Sequence, residues 1–472
     1  MKHSRRQFLK QSVSAAVGAS AVGGVGAPWI WAKDPDARPV RRPTLIVIYL
    51  RGGADPLSTI IPYNDPTYYE IRPTINIPHP RNPKRRDRLS PSIPLDKAFA
   101  MHPSMAPLAD LYREGLVAAI VNSGSTHPTR SHFDAQDFME RAAPGIKSIQ
   151  EGWLNRYLQA TASPNDHFLR AFSLQALLPR SLRGQYAVLA APGPGSDSAL
   201  DAFEELYVPC EDYQQLAHQL DEQQARSHRK RLAEHAAAQK AALDAGAGLA
   251  VLGARRPVLS KRPVIEADMH NLINTAGVNT VDKLRHFNRV LSGSRRGRGY
   301  PPGGLGSQLA DIATIVKAGE PIEITAMDYN GWDHHSYQGG SRGVMANMLA
   351  HFSQSIDAFV KDVGPRHMKN VLILTMSEFG RTVKENGNNG SDHGHGGFML
   401  AIGGMVKGGI YGKWTGLQTS RLYKGRDLPV HTDFRDVFAE TLAALYRFDA
   451  RETDFFPGHK ALHKSIGFLK EA

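Results

Sequence analysis

Val371-Leu-Ile-Leu-Thr-Met-Ser-Glu-Phe-Gly-Arg381 is an apolar run that stops abruptly on a polar turn. A run of this length, closed by turn residues, reads as a buried strand. A Gly/Asn-rich loop follows and leads to Ser391-Asp-His-Gly-His-Gly-Gly397. One carboxylate at a strand end is thus joined by a second carboxylate and two imidazoles on a glycine loop. These are the residue types that a metal or phosphate-like site needs. In open parallel α/β sheets, ligands sit outside the carboxyl ends of the strands.

The same unit recurs along the chain. Pro43-Thr-Leu-Ile-Val-Ile-Tyr-Leu50 predicts a first buried strand, and the turn Arg51-Gly-Gly-Ala-Asp55 presents Asp55 just beyond it. Leu116 to Val121 predicts a second strand. It ends in the hydroxyl-rich loop Asn122 to Arg130, and a helix opens at Ser131 with Asp134 at capping-box spacing. Strand, hydroxyl-rich loop and helix N-terminus together form an arrangement that binds oxyanions. Glu320 to Met327 is a further strand leading to Asp333-His334-His335, and imidazole with carboxylate suits zinc, manganese or iron. Phe398 to Ile402 is apolar, and Gly408 to Trp414 resembles a hairpin arm. Helices are predicted over 305–318, 344–363 and 434–446, the last capped by Thr432 or Asp433. The 344–363 helix precedes the Val371 strand, as a right-handed crossover requires. The pattern is α/β, with a mostly parallel central sheet.

Bulk properties narrow the class. The chain has 472 residues and a net charge of +12. Its length predicts one large α/β domain with insertions, or two domains; we read a single domain over residues 40–472, with a helical, charged insertion around 203–300. A single cysteine, Cys210, excludes an internal disulfide and a multi-cysteine zinc site. The basic cluster Arg81, Lys84, Arg85, Arg86 and Arg88 lacks interleaved aromatics, which argues against nucleic acid as a partner. Residues 1–32 contain no acidic residue. There Ser4-Arg-Arg-Gln-Phe-Leu-Lys10, followed by an Ala/Gly/Ser-rich run, looks like a twin-arginine signal peptide. It implies the twin-arginine export machinery as a partner, a periplasmic or cell-surface location, and no stable membrane span after processing.

Three stretches together resemble the bacterial export family called domain of unknown function 1501. They are Gly52-Gly-Ala-Asp55 with Pro62-Tyr63, Arg130-Ser-His-Phe-Asp-Ala-Gln-Asp137, and Ser377-Glu-Phe-Gly-Arg381 with Asp392-His-Gly-His-Gly-Gly397. The resemblance implies an alkaline phosphatase-like three-layer sandwich with helices on both faces, alongside sulfatases and phosphodiesterases. It implies a divalent metal, zinc first, with manganese or calcium as alternatives. Asp55 would be the first-strand ligand, Asp333 and His335 an Asp/His ligand pair, Glu378 the acidic residue of the strand-end turn, and His393 or His395 the late ligand. Asp392 is either a further ligand or a turn residue. Phe379 stands where a ligating histidine belongs. Thr126-His-Pro-Thr-Arg130 resembles the Cys-x-Pro-Ser-Arg of sulfatases, so Thr126 takes the nucleophile slot with Arg130 as oxyanion partner. The missing cysteine rules out a cysteine-derived formylglycine there.

Two functions compete at this point. One is a metal-dependent hydrolase of anionic small-molecule or glycan esters, phosphate or sulfate, with Arg130 or Arg381 holding the anion. The other is a catalytically degenerate exported protein of the same fold that binds or builds.

Overall fold

The computed structural model describes residues 42–81, 90–163, 166–191, 283–294, 299–450, 455–459 and 465–470. The twin-arginine-like stretch, the basic cluster beyond Arg81 and most of residues 203–300 lie outside them. The chain divides into two compact units, 1–193 with 290–472, and 194–289. The larger unit carries the features that follow.

Its main sheet has nine strands. In chain order they are β1 (Thr44–Arg51), β2 (Val117–Gly124), β3 (Ala171–Ser173), β4 (Leu189–Ala190), β5 (Ile324–Asn330), β6 (Val371–Met376), β7 (Gly397–Gly403), β8 (Gly409–Tyr411) and β9 (Thr432–Asp433). They lie in the order β8-β2-β7-β6-β1-β5-β3-β4, with β9 paired to β2. Every pairing is parallel except those of β7, which runs against both β6 and β2. The carboxyl ends of β1, β2, β5 and β6 therefore share one edge, and β7 begins there.

Strand identity follows from composition. Leu45, Val47 and Tyr49 pack into one core cluster, while their alternates Ile46, Ile48 and Leu50 are just as buried. A strand apolar on both faces belongs inside a parallel sheet. Among the helices of the described residues are α1 (Ala106–Arg113), α2 (His132–Arg141), α3 (Trp153–Ala160), α4 (Gly304–Ala318), α5 (Val344–Met368) and α6 (Phe434–Tyr446). Trp153 of α3 stacks on Phe438 of α6 in the cluster that holds Leu45 and Val47. The Asp433 side chain caps α6 by accepting from the Arg435 N–H. No helix among the described residues is long and apolar enough to cross a membrane.

The helix expected over 344–363 ends at the break at Gly364, φ +73°, and a separate short helical stretch runs from Pro365 to Met368. Two local expectations are corrected. Ser131 is the N-cap residue of α2, but its hydroxyl makes no capping bond. The expected hairpin arm at 408–414 is instead β8, parallel to β2. Both edges of β7 are already taken by β2 and β6, so the chain crosses to the free edge of β2.

Candidate metal centre

Register brings the site loops together. Arg51 of β1 pairs with Asn330 of β5, and Tyr49 pairs with Met376 of β6. β1 and β5 thus end level and β6 ends two residues short of them, so the loops carrying Gly52, Asp333 and Glu378 leave the sheet at the same edge. They then pack backbone against backbone. Gly52 has φ +119°, and a Cβ there would lie 2.6 Å from the Asp333 nitrogen, so only glycine fits. Arg381, buried at the centre, ties the loops together. It donates to the carbonyls of Gly53 (2.7 Å), Gly52 (2.6 Å), Ser391 (3.0 Å) and Trp332 (3.0 Å), and to Asp333 Oδ1 (2.5 Å).

Three imidazoles surround Asp333. His132 Nε2 lies 3.3 Å from Oδ2, while His335 Nε2 and His393 Nε2 lie 3.0 and 3.2 Å from Oδ1. The same two nitrogens are 2.9 Å from each other. In each ring the other nitrogen faces an acceptor. His132 Nδ1 donates to Glu378 Oε1 (2.7 Å), His335 Nδ1 to Asp392 Oδ1 (2.9 Å) and His393 Nδ1 to the Arg130 carbonyl (2.8 Å). A carbonyl or an ionised carboxylate can only accept, so each Nδ1 carries the proton. In the neutral rings, three Nε2 lone pairs then converge on one carboxylate.

The acidic partners are ionised. Burial works to raise the Glu378 carboxyl, but hydrogen bonds from His132, Gln136 and the Gly52 N–H outweigh it, and its pKa is lowered. Asp333 is lowered likewise: the hydrogen bond and charge of Arg381, with the imidazoles, outweigh its burial. The hydrogen bond to Glu378 raises His132 above the usual imidazole range, against its own burial. Burial lowers His393, opposed by the Arg130 carbonyl.

The arrangement fits a cation. His335 and His393 set two lone pairs at 2.9 Å beside a carboxylate, and His132 Nε2 is buried without a hydrogen-bond partner. Such repulsion calls for a positive charge between the nitrogens. Tetrahedral bonds of roughly 2.0–2.1 Å put ligand atoms about 3.3 Å apart, close to the spacings seen here. His132, Asp333 and His393 form the group of potential ligands whose donor atoms all lie within 4.8 Å, and His335 abuts two of them. Imidazoles tied at Nδ1 to carboxylates and carbonyls are the usual support of a metal site. The side chains of Asp333 and His335 are each 42% exposed, which leaves the centre open on one side.

The model of the family described as "Protein of unknown function (DUF1501)" matches residues 313–455. That span contains Asp333, His335, Glu378, Arg381, Asp392 and His393. Among curated proteins nothing matches. Among solved structures, the crystal structure of PsFucS1 sulfatase from Pseudoalteromonas sp. aligns over 99% of this chain and 77% of that chain, with 11% identity and a TM-score of 0.36.

The residues singled out from sequence separate into three groups. Asp333, His335 and His393 meet directly. Glu378, Asp392 and Arg130 stand behind them, each holding one imidazole, Arg130 through its carbonyl. Its guanidinium pairs with the buried Asp427 (2.5 Å). Arg381 surrounds itself with acceptors and orients Asp333. The remaining three lie apart. The Asp55 carboxylate is closed by Arg72, Ser58 and Gln338, at 2.5, 2.7 and 2.7 Å. The His395 ring is buried flat on Tyr423, with centroids 4.1 Å apart, and burial lowers its pKa to about 4. Thr126 is exposed, and no hydrogen bond among the described residues ties it to the cluster.

His334, expected with its neighbours, is buried beside Arg381 and outside the cluster, and burial lowers its pKa. Phe379 lies under two of the clustered imidazoles, with ring centroids 4.9 Å from His132 and 4.8 Å from His393. Sequence reasoning missed His132 and Gln136. They are one turn apart on α2, so both reach Glu378 Oε1 from one helix face. The signal was available: like the other candidates, His132 follows a buried strand.

Proposed function

We propose that this chain is a metal-dependent hydrolase of phosphate or sulfate esters on an alkaline phosphatase-like fold, working with one divalent cation held by His132, Asp333, His335 and His393. The observation that carries the reading is the convergence of three Nδ1-anchored imidazoles on one ionised carboxylate. Three nitrogens and one oxygen suit zinc or manganese better than calcium, which takes oxygen ligands. When bound, such a cation polarises an ester oxygen and lowers the pKa of a water beside it.

The chain's own residues do the rest. Glu378, Asp392 and the Arg130 carbonyl fix the ring orientations and, in each neutral ring, hold the proton on Nδ1 so that Nε2 turns its lone pair to the centre. Gln136 and the Gly52 N–H hold Glu378 in place. Phe379 closes the floor against water. The ester class rests on the resemblance to alkaline phosphatase-like proteins alone; the match over 313–455 is to a family described as of unknown function. Export rests on the twin-arginine-like start.

One observation favours the second reading, an exported binding protein without catalysis. The guanidinium groups of Arg130 and Arg381 both engage internal carboxylates. One experiment separates the two readings. Metal content and ester turnover are measured across divalent ions for the wild type, Asp333→Ala and His393→Ala. About one metal per wild-type chain, at least 100-fold weaker binding in both variants, and metal-dependent turnover are expected; losing one of four ligands removes roughly a quarter of a 10–16 kcal/mol site. Metal without turnover of any phosphate or sulfate ester leaves the binding protein. A metal-free wild type sinks the centre itself.

A further inference from the structure

Among the described residues, the exposed large hydrophobic side chains are Phe133 at 89%, Tyr337 at 77%, Leu177 at 69% and Val344 at 52%. All four follow the carboxyl end of a strand. Phe133 succeeds the metal-facing His132 at the start of α2, after β2. Leu177 follows β3. Tyr337 comes two residues after His335, and Val344 opens α5, both after β5. Isolated exposed apolar residues need no explanation, but these share the edge that carries the metal centre. They also flank it: the sheet order places β2 on one side of β6 and β1, and β5 with β3 on the other.

Tyr337 is held at some cost. Its φ is +49°, a conformation that glycine or asparagine adopts far more readily than tyrosine. The backbone is fixed there. Tyr337 N–H donates to the Asn388 carbonyl (2.9 Å), and the next N–H, of Gln338, donates to the Asn389 carbonyl (2.9 Å). The Gln338 side chain is buried, donating to Asp55 (2.7 Å) and accepting from Ser391 (2.7 Å). A rigid, strained position therefore presents an aromatic ring to solvent beside a ligand-bearing loop. Such strain gathers at functional sites.

We infer that Phe133 and Tyr337 form an apolar rim which grips the alcohol half of the substrate, an anionic ester whose organic part presents a flat, apolar-faced ring. This rests on the metal-centre reading for the anionic half alone. An aryl group and a pyranose both present such a face to an aromatic side chain. Val344 and Leu177 extend the rim on the β5 side.

The test compares phenylphosphonate, a pyranosyl C-phosphonate and methylphosphonate binding to zinc-loaded protein by calorimetry. The proteins are the wild type and the Phe133→Ala/Tyr337→Asn double variant. Asparagine tolerates the left-handed backbone, so the ring leaves while the loop stays. At least one ring-bearing phosphonate is expected to bind the wild type about 10-fold or more tighter than the methyl compound, each ring supplying a few-fold. That ratio is expected to fall below about twofold in the double variant, with zinc stoichiometry and methylphosphonate affinity unchanged. Whichever ring gives the larger ratio names the alcohol class. No ring preference in the wild type, or a preference that survives in the double variant, overturns the rim. Failure of the wild type to hold zinc would instead sink the centre. Phenol and a methyl pyranoside, compared with methanol on that zinc-free protein, then judge the rim without the anionic half.

Discussion

Asp55 and Asp333 leave the same sheet edge on loops after the adjacent strands β1 and β5, yet their surroundings are opposite. Asp55 is 1% exposed, and its carboxylate receives both Arg72 guanidinium nitrogens, the Ser58 hydroxyl, the Leu57 N–H and the Gln338 amide. Arg72 also donates to the carbonyls of Val383 and Thr382. The unit is electrically and geometrically closed. Burial alone would raise the Asp55 carboxyl, but the charge and hydrogen bonds of Arg72 lower it. Asp333 is half open, and the atoms nearest its oxygens include three imidazole nitrogens with unshared pairs. A carboxylate is free to bind a cation only where the fold leaves its lone pairs unsatisfied. On the β1 loop Arg72 and three further donors take every place; on the β5 loop Arg381 takes one place on Oδ1, and the rest of the half-exposed carboxylate is left to something from outside.

The contrast can be broken most severely on its closed side. Arg72→Ala strands a buried carboxylate, so unfolding stability is expected to fall by about 3–5 kcal/mol in urea titration. Metal stoichiometry per folded molecule should remain that of the wild type. A loss below about 1 kcal/mol would mean that Asp55 is not held as described.

A second test uses acid, through His102, which follows the strand pairing beside the Asp55 turn. Its Nδ1 accepts from the Ser104 N–H and its Nε2 donates to the Gly340 carbonyl, so the ring is held neutral. Burial lowers its pKa from 6.5 to about 4. As pH falls below 6.5 the unfolded chain takes up a proton that the folded chain refuses, until the pH reaches about 4. The stability it contributes at neutral pH is therefore lost across that window, by roughly 2–3 kcal/mol at pH 4.5. Thermal unfolding at pH 7 and 4.5 should show a smaller acid loss for His102→Gln than for the wild type. Equal losses would refute the assignment.

The smallest effect concerns the open side. Glu378→Gln keeps an acceptor for His132 Nδ1–H but removes the charge that makes the ring a strong donor to metal. Zinc affinity, measured by chelator competition, should weaken about 10–100-fold. An unchanged affinity would reduce Glu378 to a packing role.

How much of this was legible beforehand depended on the range of the interactions. The strand at Val371–Met376 was readable because an interior parallel strand is apolar on both faces, a property of consecutive residues. Asp333, His335 and His393 were readable as candidate ligands because each follows such a strand. His132 was overlooked because the capping-box spacing drew attention to Ser131 and Asp134, whereas His132 gains its meaning from Glu378, 246 residues away. Asp55 was read as a ligand because its partner Arg72 sits 17 residues on, in a Pro-rich stretch without periodicity. Phe379 was read as a gap in a ligand pair, and only packing reveals it as the floor beneath two imidazoles.

By itself the sequence determined the α/β class, the strands and the edge where polar loops gather, since local periodicity and turn chemistry encode these. Tertiary structure alone decided which acidic residues are left open. That choice depends on where each remaining lone pair points and on which distant donor reaches it first, and neither is a property of neighbouring residues.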